Sequence, residues 1–146
     1  MLPRTAEYAV RAAVLLARYH GVRLVSADEI ASVLGAPRNY LSKTLNALVH
    51  SGVLTSMRGP HGGFALAKAP ERLSVAEVID VFGDAHPEGA RCVLEDRACD
   101  ALFPCAAHQR WSAITRLARE PLVATSIAEL CGTHRSTNVP KQRIAP

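Results

Sequence analysis

The stretch "SADEIASVLGAPRNYLSKTLNALVHSG", residues 26–52, contains two helix signals separated by a glycine. Ser26 and Glu29 have the spacing of a capping box, and Gly35 supplies the residue type that ends a helix. Pro37 is a favourable first residue for a second helix, along which leucines recur at helical spacing. Two short helices joined by such a turn predict a helix-turn-helix.

Two short β-strands are predicted directly after this pair of helices. The segments "VLTSM" (53–57) and "FALAK" (64–68) are short and largely apolar, and "RGPHGG" (58–63) between them is rich in turn formers. The glycines of this loop permit positive φ values, and Pro60 stiffens its tip. A hairpin directly after a helix-turn-helix predicts a winged helix, in which the hairpin is a two-stranded wing.

Helical periodicity also flanks the winged segment. It occurs in "TAEYAVRAAVLLARYHG" (5–21), in "LSVAEVIDVFG" (73–83) and in "AAHQRWSAITRLAREPL" (106–122), where we expect the helix to stop near Pro121. The protein is therefore predicted to be mainly α. The expected parts are a winged-helix domain at 1–83, a cysteine-bearing loop at 84–105, a long helix with a short packing helix at 106–131, and a disordered tail at 132–146.

The charge of the chain is unevenly distributed. The net charge is +4 over 146 residues, but residues 1–70 carry eight Lys or Arg against three acids, whereas residues 71–131 carry six Arg against ten acids. A basic front half favours an anionic partner, most commonly nucleic acid. We find no signal-peptide pattern and no apolar run long enough to cross a bilayer, so we expect a cytoplasmic protein without membrane contact, whose cysteines stay reduced.

The polar face of the second helix of the pair carries side chains suited to DNA. In a helix-turn-helix this helix enters the major groove, where Arg and Asn make bidentate contacts to guanine and adenine. Lys and Tyr suit phosphates, and basic residues at a wing tip can enter a minor groove. The predicted DNA-binding residues are Arg38, Asn39, Tyr40, Ser42, Lys43, Asn46, Arg58 and His61. The alternative is that these residues form an ordinary solvated surface. The basic charge of residues 1–70, the helix pair and the hairpin all favour DNA binding instead.

Three of the four cysteines lie in "RCVLEDRACDALFPCAAHQRW", residues 91–111, with the spacing C-x6-C-x5-C-x2-H. Thiolate sulfur binds iron–sulfur clusters and also zinc. The six- and five-residue gaps between successive cysteines suit a loop that wraps a bulky cluster, whereas a zinc finger uses closely spaced pairs of ligands. The gaps exclude neither kind of site. We predict a metal site at Cys92, Cys99 and Cys105, and an inert buried thiol at Cys131, which lies on an apolar helix face.

The segment "YLSKTLNALVHSGVLTSMRGPHGGFALAKAPERLSVAEVID", residues 40–80, resembles the Rrf-two-type family of winged-helix regulators. This family includes the iron–sulfur cluster regulator and the nitric-oxide-sensitive repressor. The segments "EYAVRAAVLLA", "CAAHQRW" and "TSIAEL" also match family positions, so the likeness spans residues 3–131. The wing "RGPHGGFALA" is its most specific part, although the family usually has glycine where His61 stands.

The resemblance implies a homodimer, joined by a long C-terminal dimerisation helix and bound to a two-fold symmetric operator in double-stranded DNA, usually as a repressor. It also implies a 2Fe–2S or 4Fe–4S iron–sulfur cluster on the three loop cysteines. In different subgroups the fourth ligand is a histidine three residues after the last cysteine, here His108, or an acid in the first helix of the partner subunit, here Glu7. Members with an acid early in the recognition helix use it for base selection, and Ser42 stands at that place.

Two other interpretations are open. One is a regulator of the same fold whose cysteines bind zinc or sense thiol oxidation instead of holding a cluster. The other is a small hydrolase that uses Cys105 and His108. We find no Gly-rich phosphate loop and no pair of catalytic carboxylates, and a hydrolase would leave Cys92 and Cys99 unexplained. The leading hypothesis is a non-enzymatic regulator that senses iron–sulfur status, redox state or nitric oxide.

Overall fold

The computed structural model of the chain describes residues 3–83, 94 and 105–133. Its helices are α1 Arg4–Ala17, α2 Ala27–Leu34, α3 Arg38–His50, α4 Val75–Asp80, α5 His108–Ala124 and α6 Ile127–Thr133. The strands are β1 Leu54–Met57 and β2 Gly63–Leu66, and a 3-10 turn spans Pro70–Arg72. The prediction of a mainly helical winged helix-turn-helix with a two-stranded wing is confirmed.

Local signals account for the α2–α3 pair. The Ser26 hydroxyl accepts a hydrogen bond from the backbone N–H of Glu29 at 3.2 Å, and Gly35 closes α2 in the left-handed conformation at φ 62°. Helix α3 begins at Arg38, so Pro37 occupies the N-cap position, one residue before the place that the sequence predicts for it. The leucines on one side of α3 form an apolar stripe that is fully buried, and its members are Leu41, Leu45 and Leu48. The predicted capping box is only half formed, because the Glu29 carboxylate binds the guanidinium of Arg23 and not the backbone N–H of Ser26.

Helix α1 is the centre of the core, and small residues form most of its buried face. The buried residues of this helix are Ala6, Ala9, Ala12, Ala13, Leu15 and Leu16. The helix contacts α2, α3, β2, α4 and α6. Alanine allows the α1 backbone to lie close to several neighbours at once, since its side chain occupies little space.

The wing is attached to the loop before α2. Strands β1 and β2 pair antiparallel, and Val25 exchanges two backbone hydrogen bonds with Phe64 at 3.0 and 2.8 Å. A Cβ at Gly63 would lie 2.6 Å from the Val25 carbonyl oxygen, and one at Gly62 would lie 2.2 Å from the carbonyl oxygen of Met57. These two glycines are therefore required for close backbone approach. In this loop the positive φ occurs at Gly59 instead.

We expect Gly63→Ala to lower the free energy of unfolding by about 1–3 kcal/mol, since the new methyl group meets backbone that cannot move without breaking the Val25–Phe64 bridge. Urea denaturation measures this loss. Gly132→Ala is the matched control, because its Cβ meets no atom within 4 Å and alanine favours a helix. A Gly63→Ala protein as stable as the control would contradict the steric assignment.

The C-terminal helices return to the winged body. The backbone N–H of Ile127 donates to the carbonyl of Leu73 at 2.8 Å, and that of Val75 donates to the carbonyl of Thr125 at 2.9 Å. The side chain of Ile127 is completely buried. Helix α6 continues to Thr133, so it extends beyond the boundary expected at residue 131. The remaining part of the predicted disordered tail, residues 134–146, lies outside the described residues.

Helix α5 runs through Pro121 to Ala124, so the expected stop near that proline is wrong. Proline removes one backbone donor. None of the α5 residues is fully buried, and water can therefore hydrate the carbonyl that loses its partner. Within the described residues, no helix is long and apolar enough to span a membrane.

One ion pair ties α5 to α4. The guanidinium of Arg119 donates from Nη1 and Nη2 to the two carboxylate oxygens of Asp80, at 2.5 Å each. The side chains are only 24% and 20% exposed, and the hydrogen bonds that Arg119 donates to Asp80 raise the pKa of Arg119. A bidentate pair of this kind holds the middle of α5 at one position on the winged body.

Candidate nucleic-acid interface

A groove of about 470 Å³ lies between α3, the start of α2 and the wing. Arg38 and Asn46 of α3 line it, together with Arg58 of the wing loop. Residues from three separate parts of the sequence therefore converge on one surface. This surface combines two guanidinium groups with an amide, the side chains that make bidentate contacts to base edges.

Most of the predicted DNA-contacting residues are exposed. These are Arg38, Asn39, Tyr40, Lys43 and Asn46 on α3, and Arg58 and His61 in the wing loop. Ser42 is half-buried. The opposite side of α3 holds the leucine stripe in the core, so its polar residues are directed outward by the packing of the helix.

Tyr40 has a second role that its sequence position does not reveal. Its hydroxyl is hydrogen-bonded to the Thr5 hydroxyl, and its ring meets the Tyr8 ring edge-on, with 5.8 Å between the centroids. The guanidinium of Arg11 lies 5.9 Å from the centre of the Tyr8 ring. Tyr40 therefore joins α3 to the start of α1. It is 39% exposed, so part of its surface remains accessible to DNA.

Arg38 is paired with a carboxylate on the preceding helix. Its Nε contacts Oδ1 of Asp28, and its Nη2 donates to Oδ2 at 3.3 Å. The two side chains are 65% and 68% exposed, and a pair this exposed contributes little to stability. Sequence reasoning missed Asp28, which lies on α2 and also lines the groove.

A second ion pair braces the loop before α2. Arg23 donates to the Glu29 carboxylate from Nη1 at 2.8 Å and from Nη2 at 2.5 Å, and its guanidinium lies 4.1 Å from the centre of the Tyr19 ring. These hydrogen bonds lower the pKa of Glu29 and raise that of Arg23. The brace joins the loop between α1 and α2 to the first turn of α2 and so supports the side of the groove formed by α2.

Two candidate metal ligands share the turn that begins α5. Cys105 is the first residue of this turn, and the backbone N–H of His108, the first residue of α5, donates to the Cys105 carbonyl at 3.0 Å. Both residues are half-buried. A thiol and an imidazole in one turn are donors that iron and zinc accept, so this half of the predicted donor set fits a metal or a cluster.

The remaining candidate ligands are apart from this turn. Cys92 and Cys99 lie outside the described residues, and Glu7 is exposed in the first turn of α1. Within the described residues, no group of three or more His, Cys, Asp or Glu side chains is placed to hold a metal ion. Cys131 is half-buried instead of fully buried as predicted, because burial decreases along α6 from Ile127.

The fold and the groove together define the class of the protein as a winged-helix DNA-binding protein. The sequence model of the Rrf2 family, described as an iron-dependent transcriptional regulator, matches residues 2–133. The chain therefore belongs to the Rrf2 family. It is a DNA-binding transcriptional regulator and not an enzyme, so the interpretation as a Cys/His hydrolase is wrong.

Known relatives agree with this assignment. An HTH-type transcriptional regulator of Aquifex aeolicus (strain VF5) is 33% identical over 141 residues, which are 95% of this chain and 96% of the relative. CymR (YrzC), the global cysteine regulator of B. subtilis, has a similar structure, with a TM-score of 0.74 and 25% identity over 92% of this chain and 98% of that one. T. potens IscR shares the fold, with a TM-score of 0.72 and 23% identity over 90% and 86%.

Proposed function

We propose that the protein is a cytoplasmic homodimeric repressor that reads a two-fold symmetric operator with α3. Metal binding by its cysteine loop controls the affinity of the protein for this operator. The observation that carries the proposal is the groove, in which residues of α3 and the wing converge. In this arrangement Arg38 and Asn46 meet base edges in the major groove, and Lys43 meets a phosphate. Arg58 and His61 reach the adjacent minor groove from the wing.

The surface of α5 supports the homodimer. Trp111, Ile114 and Leu117 are spaced three residues apart on one side of this helix and are 50%, 59% and 66% exposed. A contiguous exposed apolar stripe of this kind marks an interaction site. The helix has 17 residues and is about 25 Å long, enough for a helix-to-helix interface with a second copy. Such a dimer presents two α3 helices to half-sites that are about 34 Å apart.

The cysteine loop supports the sensing function. Thiolates of Cys92, Cys99 and Cys105 would hold an iron–sulfur cluster, with His108 or Glu7 of the partner subunit as fourth ligand. A bound cluster of the 2Fe–2S or 4Fe–4S type supplies electron transfer and iron that reacts with nitric oxide.

The position of two ligands connects sensing to DNA binding. Cys105 and His108 form the turn that begins α5, and Arg119 ties the middle of the same helix to α4. Ligation at the turn would restrain the N-terminal end of α5 and, in the proposed dimer, the separation of the two α3 helices. Affinity for the operator changes only if ligation favours one separation over the other.

The second candidate is a regulator of the same fold whose cysteines bind zinc or sense thiol oxidation. The half-buried Cys105 is compatible with this function, since oxidation requires an accessible thiol.

Purification without oxygen separates the two candidates. The cluster hypothesis predicts a brown dimer with visible absorption, bound iron and acid-labile sulfide, and with an operator affinity that changes when nitric oxide is added. A colourless protein that contains zinc, or no metal at all, would support the second candidate.

The assigned DNA face is tested with Lys43→Ala and Arg58→Ala. Each is expected to weaken DNA binding and to reduce the slope of log affinity against log salt by about one unit, because each bound Lys or Arg that neutralises a phosphate releases counterions. Fluorescence anisotropy with a labelled duplex over a salt series measures both effects. Arg72→Ala is the control, since this exposed residue lies in the 3-10 turn, outside both α3 and the wing. Slopes unchanged in both variants would refute the assigned DNA face.

A further inference from the structure

The groove assigned to DNA contains a carboxylate whose position calls for an explanation. Asp28 lines the groove with Arg38 and Arg58, and its side chain is 68% exposed. A negative charge on such a surface repels DNA phosphates and lowers the affinity for every sequence. Stability accounts for little of it, because an ion pair this exposed stabilises a protein very little and an exposed carboxylate in the first turn of α2 gains only modestly from the helix dipole.

The geometry of the pair indicates what Asp28 contributes. Its two carboxylate oxygens contact Nε and Nη2 of Arg38, and these two nitrogens form one side of the planar guanidinium. Arginine has five N–H donors in a rigid fork. Contact along that side leaves the end of the fork, which is Nη1 and the second hydrogen of Nη2, directed at another acceptor. Two parallel donors are what the O6 and N7 atoms of guanine accept.

We propose that Asp28 is a positioning residue that determines base specificity, because it holds Arg38 with the end of its fork presented to a guanine. An unrestrained arginine at the start of α3 contacts phosphates of any sequence. Held by Asp28, it binds a guanine with two hydrogen bonds, and its contact with the phosphates is reduced. The inference rests on the proposed function, since it requires that α3 enters the major groove.

The experiment first selects tight binders from a pool of random duplexes with the wild-type protein. The dissociation constants of the selected duplex and of its single-base variants are then measured for wild type, Asp28→Ala, Arg38→Ala and the double variant. We expect Asp28→Ala to bind random DNA more tightly and to lose roughly tenfold discrimination at one guanine. Arg38→Ala should lose discrimination at the same guanine, and the double variant should lose no more than Arg38→Ala.

Matched variants separate positioning from charge. Glu71→Ala removes one negative charge from the exposed 3-10 turn, outside the groove, so it should leave the base profile unchanged. Asp28→Asn keeps the shape of the side chain and should lose discrimination in the same direction as Asp28→Ala. Asp28→Glu retains the carboxylate and should restore part of the discrimination. Thermal unfolding verifies that each variant is folded.

Two results overturn the inference while the wild type still selects a sequence. One is an Asp28→Ala base profile equal to that of the wild type, and the other is an equal loss of affinity for all duplexes. If the wild-type protein selects no sequence at all, the assignment of α3 to the major groove fails, and the inference fails with it. The two failures are therefore distinguishable by the behaviour of the wild type.

Discussion

Ile114→Glu is expected to convert the dimer to a monomer and to weaken binding to a two-fold symmetric operator by roughly two to four orders of magnitude. Ile114 is 59% exposed in the middle of the apolar stripe of α5, between Trp111 and Leu117. In the proposed dimer the new carboxylate would be buried without a partner, and an unpaired buried charge costs several kcal/mol of association free energy. A monomer reaches one half-site at a time and loses the gain from simultaneous binding.

Light scattering after size-exclusion chromatography measures the mass of the variant, and fluorescence anisotropy measures its affinity for DNA. Arg116→Gln is the matched control, because it lowers the net charge by the same amount at an exposed α5 position roughly 160° around the helix. The control should remain dimeric with near wild-type affinity. An Ile114→Glu protein that stays dimeric would show that the stripe on α5 is not the interface.

Cys99→Ser is expected to remove the visible absorption of the anaerobically purified protein completely. A serine hydroxyl is protonated at neutral pH and is a hard oxygen donor, so it replaces a thiolate on iron poorly. The same variant should bind DNA with an affinity that no longer responds to nitric oxide. Absorption spectra with iron and sulfide analysis measure the first effect, and gel shifts with and without nitric oxide measure the second.

Cys131→Ser is the matched control for this prediction. Cys131 is a half-buried thiol on α6, outside the cysteine loop, and its loss should leave the colour and the iron content unchanged. Full colour in Cys99→Ser would exclude the loop as the seat of the cluster. Loss of colour in Cys131→Ser would assign this thiol a role that the loop hypothesis does not include.

Sequence reasoning succeeded where the signal lies within a few residues. The hydroxyl of Ser26 accepts a hydrogen bond from the backbone N–H three residues later, and Gly35 ends α2 as predicted, in the left-handed conformation. It failed at Pro121, where the helix continues. Exposure of the surrounding helix allows this continuation, and periodicity alone does not report exposure.

The amino-acid sequence by itself determined the order of the helices and strands, the wing, the outward polar face of α3 and the membership of a regulator family. Hydrogen bonds over three or four residues and the periods of helix and strand specify the elements and their faces locally. The wing sequence is the most specific part of the family resemblance. Only the tertiary structure decided that Tyr40 is bound by Thr5 and Tyr8, that Asp28 holds Arg38, and that the apolar stripe of α5 is exposed. Each of these depends on the angle and distance at which helices distant in sequence pack, and no local pattern of residues encodes that geometry.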